Sequence, residues 1–570
     1  MSDGRARSGV WLLAISAVLV LGTGIGLRDP WPSDEPRFAL VAKQMVESGQ
    51  WLLPHRGTEL YSDKPPLLMW LQAVSYLLLR DWRVAFLLPS LLAALGTLAC
   101  VYDLGRRLWT RQVGVYAAWL LLFAVQFTFQ GRKAQIDALL LFFITLANYG
   151  LLRHLLRGPD WRWWTIGWFA AGLGVITKGV GVLALAMLLP TLVAVALGWQ
   201  RPMLRFIDRR FWLGPLALIA ALALWLGPLL ATVLGSADPA HAAYLHDLLF
   251  RQTAGRYVQS WDHHNPPWYH LGVMLSLWLP AMLLLPWALP AWWHRLRRHD
   301  PRYLLLLGWW LLVVVFFSIP SGKRDVYILP ALPMFCLALA PLLPGLLRRP
   351  DVRWLLLAFT ALLAALLVLA GASLLLEWDV GRLRSLIERR ELSVSSVRVL
   401  GWTVLVIGGS VVCALLLWGR RWPAGVLAAL LALVWISQGL VINPLLNDSS
   451  SGRGLMREVG RRIGPNAELG LVAWKEQNLL MADRPARTFG FVRPWEQQLQ
   501  AAVAWQREHP GQRWLLVQEP ALLDCIDRSG GQFVGRLSGR NWWLVPAMAV
   551  QGACIATPEQ RALARQEGSR

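Results

Sequence analysis

The sequence predicts an all-α polytopic membrane protein that ends in a small soluble α/β domain. Three observations predict it. Of the 570 residues, 56% are apolar and only 16% charged, with a mean hydropathy of +0.44. Apolar runs of about 20 residues, enough to cross a bilayer as a helix, recur along residues 10–442. The net charge of +22 is concentrated in alternate loops between those runs. A soluble nucleic-acid-binding chain this basic would carry more charge and fewer apolar residues. Disordered, collagen-like and coiled-coil chains are excluded by the same composition.

The first run, 10–27, follows Arg5 and Arg7 with no small-residue cleavage site after it, so it reads as a retained span rather than a removed signal peptide. Further runs lie near 84–104, 112–130, 137–152, 163–177, 179–198, 211–233, 268–292, 303–319, 326–346, 354–376, 399–418 and 424–442, thirteen in all. A fourteenth, 65–79 (PPLLMWLQAVSYLLL), is assigned to the membrane interface. Charge decides this. Loops 105–111, 153–162, 199–210, 293–302, 347–353 and 419–421 hold nineteen Arg against Asp160, Asp208, Asp300 and Asp351. They share one side only if 65–79 does not cross. Basic loops mark the cytoplasmic side, so the N-terminus is expected there. Loops 28–83, 131–136, 234–267, 320–325 and 377–398 are then expected on the periplasmic side of a bacterial inner membrane, with everything after about 443.

The expected domains are therefore a membrane domain over 1–442 and a soluble periplasmic domain over 443–570. The tail holds 16 basic and 12 acidic residues. Strand-like runs at 468–474, 513–518 and 541–546 and helix-like stretches at 452–463 and 495–508 predict its α/β character. It has no G-x-G-x-x-G and no P-loop, so no nucleotide is expected, and its expected role is structural. Cys100, Cys336, Cys413, Cys525 and Cys554 show neither C-x-x-C nor zinc spacing and are read as inert.

The informative charges are those on the outer side, because they defy the topological trend. The chain has only six Lys, and Lys64, Lys133, Lys178 and Lys323 fall at or near the outer surface. Cations retained there fit an anion, and a lipid phosphate is the natural one; ordinary headgroup snorkelling is the plainer explanation for any single one. Carboxylates accompany them: Asp34 and Glu35 after the first span, Asp63 beside Lys64, and Asp137 at the start of a span. Such a carboxylate can act as a general base for an acceptor hydroxyl or bind a divalent metal. The plainer reading of Asp34 is the N-cap of a helix over 35–47. His263, His264 and His270 add a third group, able in principle to hold a metal with a carboxylate from another loop.

At these residues the sequence resembles a known family. DEPR at 34–37, followed by AKQMVESGQWLLP, is similar to the opening motif of the polyprenyl-phosphate-sugar glycosyltransferases. This is the membrane superfamily of GT-C fold that includes the lipid A aminoarabinose transferases (ArnT) and the protein O-mannosyltransferases. YSDKPP at 61–66 resembles the family's Y-x-E-K-P-P. GRKAQID at 131–137, ITKG at 176–179, residues 263–269 (H-x-x-P-x-W-Y) and Lys323 with YILP at 327–330 complete six ordered motifs.

The resemblance implies a sugar donor linked to undecaprenyl phosphate and an acceptor that is lipid A, another glycan or lipid, or a protein. Membrane lipids are further partners and nucleic acid is not. It implies that Lys64 binds the donor phosphate, helped by Arg132, Lys178, Lys323 or Tyr327. Asp34 is implied as the base or acceptor-orienting group, with Glu35 and Asp137 in support, and transfer with inversion. A divalent metal (zinc, magnesium or manganese) would sit between Asp63 and His263 or His264, with Asp63 standing where the family has Glu. The alternative function is a lipid or sugar transporter or flippase. Transporters place ionisable residues near the bilayer midplane, whereas these spans carry almost no charge and their polar clusters sit at outer ends. No D-x-D motif points to a nucleotide-sugar donor.

Overall fold

The computed structural model describes residues 3–199, 208–250, 264–378 and 392–558, with 381, 385, 390, 560 and 561. All thirteen apolar runs are helical. Eight helices are long and apolar enough to cross a membrane: Trp82–Leu108, Ile136–Arg157, Arg209–Leu234, Pro301–Ser318, Asp325–Leu346, Pro350–Leu375, Val394–Gly419 and Pro423–Leu445. Two pairs bent by 72° and 101°, Arg111–Phe123 with Val125–Gly131 and Tyr269–Leu277 with Ala281–Arg297, raise that to ten. The other three runs correspond to Ser8–Gly22, Trp161–Lys178 and Gly181–Ala196, which are shorter or less apolar. The chain is a multi-pass membrane protein.

The segment placed at the interface forms the helix Leu67–Leu79. Thirteen residues at 1.5 Å each reach about 20 Å, short of the roughly 30 Å hydrocarbon layer. The loop aspartates that oppose the arginines have local work. Asp160, Asp208 and Asp300 accept from backbone N–H groups of Trp163, Arg210 and Arg302 and so cap three helices.

Ile136–Arg157 and Asp325–Leu346 form the centre, 78% and 83% buried, while the last three helices are 22% buried and lie at the periphery. Close approach sets the centre's geometry. A methyl group at Gly150 would collide with the Trp163 carbonyl and crowd Gly167. Glycine there lets Ile136–Arg157 and Trp161–Lys178 pack backbone to backbone. That contact brings Asp137, at the start of one helix, beside Lys178 at the end of the other.

Beyond the last apolar helix, which runs to Leu445, a five-stranded sheet has the order Ala486–Thr488, Glu468–Val472, Arg513–Gln518, Arg540–Val545, Gln532–Leu537. The first three strands are parallel and the last two pairings antiparallel. Strand residues alternate between faces. Leu515 and Val517 pack with Leu499 and Val503 of the helix Trp495–Glu508. Leu516 packs with Met456 and Val459 of Arg453–Ile463, and Leu40 from the helix Glu35–Ser48 joins that second cluster. The expected strands and helices are present, and two strands, Ala486–Thr488 and Gln532–Leu537, are additional; they are short or broken by a bulge near Gly535, so their alternation is weak.

One expectation is corrected. Cys525 and Cys554 form a disulfide. Spacing rules detect metal and redox motifs, but this pair is joined by a tertiary meeting. An antiparallel bridge between Ile526 and Val550, with Gln551 donating to the Cys525 carbonyl (2.7 Å), lays the two segments side by side.

Candidate functional site

The site begins where the loop after the first apolar helix turns into the helix Glu35–Ser48. Asp34 occupies its N-cap position but makes no side-chain capping bond. Its Oδ2 instead accepts from Gln135 Nε2 (3.0 Å) and lies 3.5 Å from the Arg324 guanidinium. Arg37 lies 3.8 Å from the other oxygen. The N-cap reading holds for its position but not for its side chain: the carboxylate faces the segment before Ile136 and the loop at 324.

Glu35 points the other way. Arg28 donates to both its oxygens (2.5 and 2.7 Å), and the backbone N–H groups of Trp31 (2.8 Å) and Ala134 (2.9 Å) complete its shell. Burial alone would raise its pKa, but the guanidinium and the backbone donors hold it below the usual carboxylate range. Asp29 adjoins this knot and ties it to the C-terminal region: it accepts from Arg83 (3.0 Å), Arg453 (2.7 Å) and Asn447 (2.7 Å).

A second group surrounds a cavity of about 100 Å³ lined by Lys64, Lys178 and Tyr327 among apolar side chains such as Leu140 and Ile144. Lys178 Nζ lies 2.5 Å from Asp137 Oδ1 and 5.3 Å from the centre of the Tyr327 ring. Tyr327 packs tilted on Phe317. Lys64 Nζ donates to the Asp63 carbonyl (2.9 Å). Arg324 connects this group to Asp34: the fields of Asp34, Asp137 and Tyr327 all act on it, and although burial works against the charged form, those neighbours raise its pKa. His270 donates through Nε2 to the Arg324 carbonyl (3.3 Å) and fixes the loop from beneath.

Other expected residues lie elsewhere. Lys323 is buried and donates to the carbonyls of Pro320 (2.5 Å) and Asn265 (3.0 Å), closing the loop rather than facing the cavity. Its neighbour Arg324, half-buried, turns toward Asp34 instead. The motif SGKRD offered both cations, and only the turn of the backbone distinguishes them. Arg132 donates to the carbonyls of Val20 and Thr23 and stands over Trp435, next to Arg28 and apart from the lysines. Asp63 faces Arg56 (3.4 Å) and lines a separate, larger cavity. His263 lies outside the described residues. His264 is exposed and forms an antiparallel bridge with Gly322. Among the described residues, no three His, Cys, Asp or Glu side chains gather closely enough to hold a metal, and the partner seen for the Asp63 carboxylate is a guanidinium.

A family model described as dolichyl-phosphate-mannose-protein mannosyltransferase matches residues 63–226. The undecaprenyl phosphate-alpha-4-amino-4-deoxy-L-arabinose arabinosyl transferase of Pectobacterium carotovorum is 30% identical over 359 residues, which cover 61% of this chain and 62% of that protein. The enzyme of the same description from Pseudomonas paraeruginosa is 31% identical over 327 residues, 56% of this chain and 57% of that protein. The matched region thus spans about three fifths of the length of these relatives. Among solved structures, ArnT from Cupriavidus metallidurans bound to undecaprenyl phosphate aligns with a TM-score of 0.70 at 19% identity, over 97% of this chain and 100% of that one. The chain shares the fold of that ArnT structure, and over about three fifths of its length its sequence is similar to the arabinosyl transferases.

Proposed function

We propose that this chain is an integral membrane glycosyltransferase that moves a sugar from undecaprenyl phosphate to an acceptor at the outer face of the inner membrane. The observation that carries the reading is the small cavity at the outer helix ends, where Lys64 and Lys178 meet Tyr327 within apolar walls. That combination suits a phosphate headgroup whose lipid tail lies among apolar helices. In the reaction, the acceptor oxygen or nitrogen attacks the anomeric carbon and the bond from that carbon to the phosphate oxygen breaks. The leaving polyprenyl phosphate takes up negative charge, which Lys64 and Lys178 stabilise. Asp34, aligned by Gln135 and Arg324, accepts the proton lost by the attacking group. Asp137 holds Lys178 in position, and Glu35 supports Asp34 by fixing the turn that carries it. A single displacement inverts the anomeric configuration. The relatives' substrate makes 4-amino-4-deoxy-L-arabinose the first donor sugar to test, with lipid A the first acceptor.

The orientation belongs to this proposal: arginine-rich loops and N-terminus cytoplasmic, residues 443–570 a periplasmic domain. The Cys525–Cys554 disulfide supports it, because such bonds persist in oxidising compartments. The transporter alternative draws no support from any neighbour or from the site, whose charges lie at helix ends.

The test is transfer by purified protein from defined undecaprenyl-phosphate sugars to lipid A, other glycolipids and secreted peptides. Transfer is expected with at least one pair, reduced about 100-fold or more in Lys64→Ala. No transfer with any pair, together with lipid translocation in proteoliposomes, overturns the reading.

A further inference from the structure

Between the outer loop and the C-terminal sheet lies a cavity of about 920 Å³. Five cations line it: Arg37, Arg56, Lys475, Arg493 and Arg561, against two lining carboxylates, Asp63 and Glu496. The pairing among them is uneven. Arg561 is held by Glu496 (2.9 Å). Arg37 and Arg56 share one buried carboxylate, Glu476, at 2.9 and 3.5 Å, and each reaches a second, Asp34 at 3.8 Å and Asp63 at 3.4 Å. Lys475 and Arg493 form no ion pair among the described residues. Burial first, and then the nearby Arg540, Arg37 and Arg56, push the Lys475 ammonium below its usual range, with Glu476 opposing. Arg56 is 8% exposed and its Nε is buried without a hydrogen-bond partner. Its guanidinium lies 3.8 Å from the centre of the Phe491 ring.

Lys475 and Arg493, without ion pairs among the described residues and beside the buried Arg56, favour an entering anion, and guanidinium forks match phosphate and carboxylate. The rest of the wall is not that of a bare ion site. Trp495 supplies flat apolar surface, and Gln497 and Gln500 supply amides, the combination that packs on sugar rings and reads their hydroxyls. The Cys525–Cys554 disulfide anchors the segment whose Ala556 and Arg561 close one side. We propose that this cavity is a binding site for an anionic sugar, a saccharide bearing a phosphate or a carboxylate, distinct from the cavity of Lys64 and Lys178. It makes the C-terminal region a binding module, and it does not depend on the transfer reaction.

Isothermal titration of the full-length, detergent-purified protein tests it with glucose 1-phosphate, glucuronate, glucose and inorganic phosphate. At least one of the two anionic sugars is expected to bind. Lys475→Ala/Arg493→Ala is expected to weaken that binding at least tenfold, and glucose and inorganic phosphate to bind at least tenfold more weakly. Arg493→Glu alone, at an exposed position, is expected to weaken it if the double variant does not fold. Lys64→Ala is expected to leave it unchanged, which separates this site from the donor site and from any failure of transfer. No heat from either anionic sugar overturns the proposal. So does equal binding by the folded variants, by glucose or by inorganic phosphate, or loss of binding in Lys64→Ala.

Discussion

Asp34 and Glu35 are adjacent in the chain and belong to two differently built regions. Glu35 sits in a knot where Arg28, Trp31 and Ala134 satisfy its oxygens, and Asp29 is equally enclosed by Arg83, Arg453 and Asn447. Asp34 has one amide donor at 3.0 Å and its guanidinium contacts at 3.5 and 3.8 Å, beside a group of cations around a cavity. Both regions use the same residue types on the same face. The difference is completeness: an ion pair with every acceptor filled holds structure together, whereas a loosely surrounded carboxylate near cations and an open space can take part in chemistry. The two regions should therefore respond oppositely to substitution.

The largest expected effect is on Asp34. Asp34→Asn should lower transfer by about 100- to 10,000-fold, the range for loss of a general base, with Tm nearly unchanged. A fall in Tm with transfer intact would place Asp34 in the knot instead. Glu35→Gln should act mainly on stability, costing about 3–5 kcal/mol by leaving Arg28 buried with a neutral partner, while folded molecules lose far less turnover than Asp34→Asn, through the loosened turn alone. Thermal unfolding beside activity per folded molecule measures both.

The knot also has a pH signature. Glu35 is held below its ordinary 4.5 and Asp29 below 3.8, each against the opposing effect of burial. A depressed carboxylate contributes stability that is full above its unfolded pKa and is lost as pH falls toward the folded one. Tm should therefore fall on acidification below about 4.5, and Glu35→Gln should flatten the upper part of that fall. An identical acid profile in the variant contradicts the assignment.

The neighbouring cations at 323 and 324 repeat the contrast on a smaller scale. Arg324→Ala should reduce transfer by roughly tenfold, the loss of one charge-assisted contact, with little change in stability. Lys323→Ala should instead lower stability by about 1–3 kcal/mol, because the carbonyls of Pro320 and Asn265 lose a buried donor. Smallest is Tyr327→Phe, which keeps the packing on Phe317 and removes one hydroxyl. A reduction of a few-fold in transfer is expected, in line with about 1 kcal/mol for a neutral hydrogen bond. Initial-rate measurements distinguish these from the Asp34 effect.

Hydropathy suffices for the membrane class, the thirteen helical runs and the short helix Leu67–Leu79, because burial in lipid requires long apolar stretches. The ordered motifs also lead directly to Lys64, Asp137, Lys178 and Tyr327. Their spacing does not say which charged neighbours meet. Lys323 against Arg324, and Asp34 against Glu35, differ by one residue in sequence, yet an ion pair is a matter of about 3 Å and of backbone direction. Arg132, read as a phosphate ligand, is spent on the carbonyls of Val20 and Thr23. The Cys525–Cys554 bond and the cation-rich cavity beside the C-terminal sheet likewise arise from segments far apart in the chain. Composition and periodicity are properties of a strand of residues; partnership depends on which surfaces packing brings together.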